Sequence, residues 1–278
     1  MRAQPAGRLQ RSGSKQMQFR EYFRSAFMLG KAAALGANAR SLRHILNPRA
    51  FSSYTREALF LHDTMFGRKL PAQNVYALFP SNPEEEIKLS FGETAWFGVI
   101  PTATADIVNL CLLARMVKPK IVFEIGTLTG STALHFAINA PDAEVYTLDL
   151  PPESVPALET TVMDDEYVQM HRSTVPCVLA SHAAGRRVKC LHGDSAKFDY
   201  SRFHGRVDLF FIDGAHSYEY VRNDTLKALE CCRPGSIIAW HDYGRHGVNG
   251  VSRWLHELSA NRKIYCILGG SLAYMRVD

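Results

Sequence analysis

The sequence predicts an α/β protein built on a mostly parallel sheet of seven strands that an antiparallel hairpin closes. Three observations predict it. Short β-branched and aromatic runs alternate with helical patterns from Thr104 onward. The run Ile121–Ile125 enters a glycine turn, Gly126 to Gly130, and then apolar residues at helical spacing, which reads as strand, tight turn, helix. The last two strand candidates are separated only by Gly269-Gly270, a spacing that requires an antiparallel pair.

The chain has 278 residues and a net charge of +5. The charge is unevenly distributed: residues 1–50 carry +9 and the remainder −4. A basic arm therefore precedes a slightly acidic body, and a nucleic-acid groove across that body is not expected. Residues 1–16 are rich in Arg, Gln, Ser and Gly and read as disordered. Phe19, Tyr22, Phe23, Phe27 and Leu35 then suggest a helical arm or hairpin. Such an arm suits an anionic membrane surface, a targeting segment, its own domain, or a second subunit in a homo-oligomer. Residues 51–103, broken by Pro71, Pro80, Pro83 and Pro101, read as a helical extension ahead of the sheet.

Thr104–Val117 carries apolar residues at helical spacing and should be a helix. After the glycine turn, strands are expected over 144–148, 187–191, 207–212, 236–240, 263–268 and 271–277. Residues 150–186 form a connection too long for one crossover helix, and the excess should build part of an acceptor site. The six cysteines show no C-x-x-C spacing, and Cys190 and Cys266 read as small buried strand residues. A reduced, cytoplasmic setting follows. No apolar run reaches the length of a membrane span.

The glycine turn excludes two common ligand loops. A P-loop needs Lys-Ser/Thr after its second glycine, and Ser131 follows Gly130 directly. A dinucleotide fingerprint needs glycine where Leu128 stands. What remains, E-x-G-x-x-x-G-x-T from Glu124 to Thr132, resembles motif I of the class I S-adenosylmethionine (SAM)-dependent methyltransferases, in their O-methyltransferase branch. The resemblance implies a Rossmann-like class I methyltransferase domain over 104–278, preceded by the 51–103 extension and the 1–50 arm. Gly126, with Thr127 and Ser131, should receive the methionine carboxylate of SAM. Asp149, closing the second strand, suits the two ribose hydroxyls. Asp194, followed by Ser195, resembles the family's adenine-edge acid, and Glu124, Asp149 and Asp194 each end a successive strand.

Two later strands deliver Asp213, and then His241 and Asp242, to the same sheet edge, with His216 opening a helix. That geometry suits a divalent metal with open positions for substrate oxygens. The pattern F-I-D-G-x-H-x-Y-x-x-V-x-x-D followed by H-D-Y resembles metal-dependent O-methyltransferases of the methyltransferase 24 type, related to macrolide-sugar and catechol-type enzymes. The resemblance implies Asp213, His241 and Asp242 as metal ligands and His216 as the general base. Catechol-type relatives carry a carboxylate where His241 stands; a histidine there lowers the ligand charge and favours softer ions such as Mn or Fe over Mg, with His241 either a ligand or a hydrogen-bonded neighbour of one. The acceptor would be a sugar diol or a catechol-like hydroxyl. Two rival readings are a metal-dependent hydrolase or oxygenase without SAM, and a non-catalytic binding module on the same fold.

Overall fold

The computed structural model describes residues 68–78, 86–90, 104–151, 153–161, 164–165, 177–245 and 248–278. The chain divides into compact units at 1–67 and 68–278, and every described residue belongs to the second. The basic arm expected over 1–50, with its membrane and subunit contacts, lies outside the described residues, as does most of 51–103.

The second unit is one mixed sheet with helices on both faces. Its strands are β1 (Ala72–Gln73), β2 (Ile121–Ile125), β3 (Glu144–Asp149), β4 (Val188–His192), β5 (Val207–Ile212), β6 (Cys232–Trp240), β7 (Ile264–Ile267) and β8 (Ala273–Arg276). Their order is β1-β7-β8-β6-β5-β2-β3-β4. β8 runs antiparallel to both β6 and β7, and every other pairing is parallel. The expected seven strands and closing hairpin are present. The eighth, β1, pairs Ala72 with Cys266 and Gln73 with Ile267. Two residues carry no readable periodicity, so only tertiary pairing reveals this strand. The compact unit that contains β1 begins at Arg68.

The helices are α1 (Thr104–Val117), α2 (Ser131–Asn139), α3 (Cys177–Ala180), α4 (Tyr218–Cys231) and α5 (Asn249–Leu258). Strand alternation sorts the core onto two faces. Phe123, Phe210, Ile238 and Trp240 pack with Trp254 and Leu255 of α5. Val122, Leu209, Phe211 and Ala239 pack on the other face with α1 and α2, through Leu113 and Phe136. β2 and β5 are buried at every position, as runs covered on both faces must be. β4 is the sheet edge, and Cys190 on it is exposed, which corrects the reading of that cysteine as buried.

The stretch 86–90 of the extension lies along α2. Lys88 N donates to Asn139 Oδ1 at 2.8 Å, and Asn139 Nδ2 donates back to Lys88 O at 2.9 Å. Among the described residues, no helix is long and apolar enough to cross a membrane.

Candidate active site

Parallel register brings the candidate residues into one row. Ile125 pairs with Leu148 on one side and with Ile212 on the other, and Ile212 pairs with Trp240. The ladder continues one bond past the strand ends: Gly126 N donates to Leu148 O, Asp213 N to Ile125 O, and His241 N to Ile212 O. Gly126, Asp149, Asp213 and His241 therefore meet at the carboxyl edge, where open α/β sheets take ligands. One cavity there is lined by Gly126, Thr127, Ser131, Asp149, Asp194 and Ser195, and equally by Asp213, His216, His241 and Asp242.

Gly126 has φ +98°, and a Cβ on it would fall 2.0 Å from the carbonyl oxygen of Asp213. The turn thus needs glycine because the end of β5 crowds it. Gly126→Ala should destabilise the fold by more than about 1 kcal/mol and push Asp213 out of line. A thermal melt combined with cofactor titration checks this, and an unchanged melting temperature would refute the steric account.

Asp149 fastens the turn. Its Oδ2 accepts from Thr127 N at 3.0 Å and Leu128 N at 2.9 Å, and its Oδ1 accepts from Leu150 N at 2.9 Å. Asp194 binds the Tyr220 hydroxyl with both oxygens and accepts from Ala157 N at 2.6 Å. The Asp194–Tyr220 pair thereby holds part of the long connection against the cavity.

Glu124 lies beneath the cavity instead of in its wall. Its alternation places it on the α1–α2 face, where Thr147 Oγ1 donates to it at 2.6 Å and in turn meets Thr127 Oγ1 at 2.7 Å. The Thr127 hydroxyl is thus turned toward Thr147. Burial raises the Glu124 pKa well above the usual carboxylate range, with the Thr147 hydrogen bond opposing it.

The long connection delivers a residue that sequence reasoning missed, Asp164. Thr161 N donates to Asp164 Oδ2 at 2.7 Å and Asp164 N donates to Thr161 Oγ1 at 3.2 Å, a reciprocal helix-start cap. That T-x-x-D spacing was the only local signal for it. Asp164 Oδ1 accepts from His216 N at 3.0 Å and lies 2.6 Å from His216 Nδ1. His216 Nε2 lies 2.9 Å from Asp242 Oδ2. Burial alone would lower the His216 pKa, but these two carboxylates outweigh it and push the value up to about 10. Burial also raises the Asp164 pKa, yet the His216 contact brings it below its ordinary range.

A histidine whose folded pKa is raised stabilises the fold fully below its unfolded pKa and loses that contribution as pH climbs through the folded value. Stability should therefore decline between about pH 6.5 and about pH 10. The Asp164 contribution is instead lost on the acid side. In denaturant titrations His216→Gln should flatten the alkaline decline, and a mutant with the parental slope would contradict it.

His241 sits among three carboxylates. Its Nδ1 lies 2.9 Å from Asp213 Oδ1 and 3.2 Å from Asp242 Oδ1. Its Nε2 lies 3.3 Å from Asp106 Oδ2, within ion-pair reach but outside hydrogen-bond geometry. Burial lowers its pKa, and the Asp213 and Asp242 charges then raise it well above the ordinary imidazole range. Burial likewise opposes charge on Asp242, and His241 and His216 hold it well below the usual carboxylate range. Asp242 adopts φ +59°, a left-handed conformation uncommon outside glycine, and Arg245 Nη1 pairs with it at 2.5 Å.

The donor set fits a divalent cation. Asp213, His216 and Asp242 each bring one ligand atom within 4.8 Å of the others, and His241 Nδ1 faces two of the same carboxylates. Hard oxygens with borderline nitrogen suit Mg, Mn or Fe.

Residues 123–243 match a protein family described as a methyltransferase domain. No curated protein matches the chain. Solved structures similar to it include the O-methyltransferase TomG from Streptomyces achromogenes in complex with SAM, at 18% identity, TM-score 0.44, covering 64% of this chain and 82% of that one. A Podospora anserina methyltransferase bound to S-adenosylhomocysteine (SAH) has 17% identity and TM-score 0.48, covering 64% and 80%. An O-methyltransferase from Bacillus cereus in complex with SAH has 18% identity and TM-score 0.43, covering 63% and 82%.

Proposed function

We propose that the chain moves a methyl group from SAM to a hydroxyl oxygen of a small acceptor, aided by a divalent cation, a reading supported by the match of residues 123–243 to a methyltransferase-domain family. One observation supports the reading above the others. A single cavity runs from the Gly126 turn, Asp149 and Asp194 to His216, Asp213 and Asp242. A donor-binding half and an acid–base half share one enclosure, as transfer between two bound reactants requires.

The Gly126 turn opens α2, whose first amides suit the carboxylate of the donor. Asp149 is the group for the ribose and Asp194 for the adenine edge, each already fixed by its own hydrogen bonds. Asp213 and Asp242 would hold the cation. When bound, SAM would supply an electrophilic methyl, and the cation would supply positive charge that lowers the pKa of an acceptor hydroxyl and offsets the pull of Asp242 on His216.

His216 then works as the base. Asp164 retains the Nδ1 proton of the ring, so Nε2 is the atom that takes the proton of the acceptor hydroxyl. Burial of His216 and Asp242 keeps bulk water from competing for that proton. The acceptor class is a vicinal diol or catechol, whose hydroxyl proton His216 Nε2 would take.

Incubation of the full chain with SAM, Mn(II) and a panel of sugar diols and catechols, read by mass spectrometry, tests the reading. A methylated oxygen that disappears with a chelator is expected. Full activity with the metal shown to be absent would sink the cation's role, and SAM turnover onto none of the acceptors would sink the acceptor class.

A further inference from the structure

We propose that Arg245 recognises an anionic group of the acceptor, so that the preferred substrates are diols or catechols that also carry a carboxylate or a phosphate. The inference rests on the methyl transfer proposed above and narrows its acceptor.

The charge of the cavity wall is the first support. Among the described residues that line it, Arg245 is the one Lys or Arg, beside the carboxylates of Asp149, Asp164, Asp194, Asp213 and Asp242. Those acids are already engaged. Asp149 accepts from the amides of the turn, Asp194 from Tyr220 and Ala157 N, and Asp164 lies against His216. Asp213 and Asp242 are the proposed cation pair. On the acceptor side, then, Arg245 is the side chain suited to a planar oxyanion.

Its place in the sheet is the second. The donor groups follow β2, β3 and β4, on one side of β5, whereas Arg245 follows β6 on the other. The backbone that carries it is held. Arg245 N donates to Asp242 O at 3.3 Å, Gly244 N donates to Ser252 Oγ of α5 at 2.9 Å, and Tyr243 between them is fully buried. The Arg245 side chain is nevertheless 38% exposed, against 9% for its partner Asp242. Nη1 pairs with Asp242, and a guanidinium has five N–H donors, enough to hold a second oxyanion.

The bond to Asp242 is the third, because burial of that carboxylate does not require it. His216 Nε2 already meets Asp242 Oδ2 at 2.9 Å, and His241 Nδ1 meets its Oδ1 at 3.2 Å. A guanidinium beside two imidazoles is surplus to the pairing of one buried acid. A cation held by Asp242 adds to that surplus, and an anionic group on the acceptor offsets it.

Paired acceptors test the proposal on the full-length protein. Catechol is compared with 3,4-dihydroxybenzoate, and a free hexose with its uronate and its phosphate, so that carboxylate and phosphate are read apart. Calorimetric titration into SAH-saturated protein gives affinities without turnover, and mass spectrometry with SAM and Mn(II) gives kcat/KM. In the parent an anionic member should bind and react better than its neutral partner by on the order of 10–100-fold. Arg245→Gln should bring that ratio near one. Arg245→Lys, which keeps the charge without the fork, should retain part of it and serves as the test should the glutamine variant fail to fold. Methylation of neutral and anionic partners at equal rates would overturn the proposal and leave methyl transfer standing. A ratio that survives in both variants would overturn it too, as would an equal loss of SAH affinity in Arg245→Gln, which would assign the guanidinium to the donor carboxylate. Methylation of none of these acceptors would overturn both this proposal and the acceptor class on which it rests.

Discussion

Replacing His216 by alanine is expected to lower kcat by a factor on the order of 10²–10⁴, the range for loss of a positioned base, while SAH affinity stays near that of the parent. The expectation follows from the division of the cavity. Asp149 and Asp194 are fixed by hydrogen bonds to the turn and to Tyr220, whereas the imidazole is held at its two nitrogens by Asp164 and Asp242. Asp164→Asn should produce a smaller fall, because an amide still accepts from Nδ1–H but no longer carries the charge that favours the imidazolium formed in the reaction. The two variants together separate a base from a structural histidine. A purely structural His216 would lower stability and SAH binding along with kcat, and that pattern would contradict the assignment.

Asp213→Asn should abolish cation-dependent turnover, with added metal restoring little of it. Asp213 is the better choice than Asp242 for a reason of magnitude. Asp242 is buried between two histidines, and removing one partner of a buried ion pair costs about 3–5 kcal/mol, enough to unfold a marginal protein. The Asp213 side chain is 19% exposed and opens onto the cavity, so its loss should be read in chemistry more than in folding. Asparagine keeps the shape and one carbonyl oxygen but removes the negative charge that a cation needs. Metal titration of the folded variant checks the result, and wild-type metal affinity with wild-type turnover would remove Asp213 from the site.

The sheet was legible because burial on both faces writes long apolar runs into β2 and β5, and glycines punctuate their ends. Legibility stopped where a residue depends on distant partners. β1 is two residues whose identity as a strand lies in its pairing with β7. Cys190 reads as a buried strand residue until β4 is known to be the edge. At the site, Asp213, His241 and Asp242 could be brought together on paper because adjacent parallel strands end in register. Asp164 and Asp106 could not: one comes from a long connection and the other from the start of α1, and each is recognisable only by the histidine behind which it stands. The F-I-D-G-x-H-x-Y-x-x-V-x-x-D pattern names Tyr218 and leaves Tyr220 unspecified, and the role of Tyr220 on Asp194 requires knowing that α4 faces the end of β4. Glu124 shows the opposite limit. Its position at a strand end suggested a ligand contact, but side-chain alternation turns it under the turn, toward Thr147.

Calorimetric titration of the full-length protein with SAH, with and without Mn(II), tests the central claim most directly. The account predicts one SAH per chain under both conditions, and a loss of roughly 1.5–3 kcal/mol of binding free energy in Asp149→Ala, the scale of hydrogen bonds to a charged group. A folded protein that takes up Mn(II) but shows no heat with SAH, or an Asp149→Ala protein that binds SAH as tightly as the parent, would contradict it.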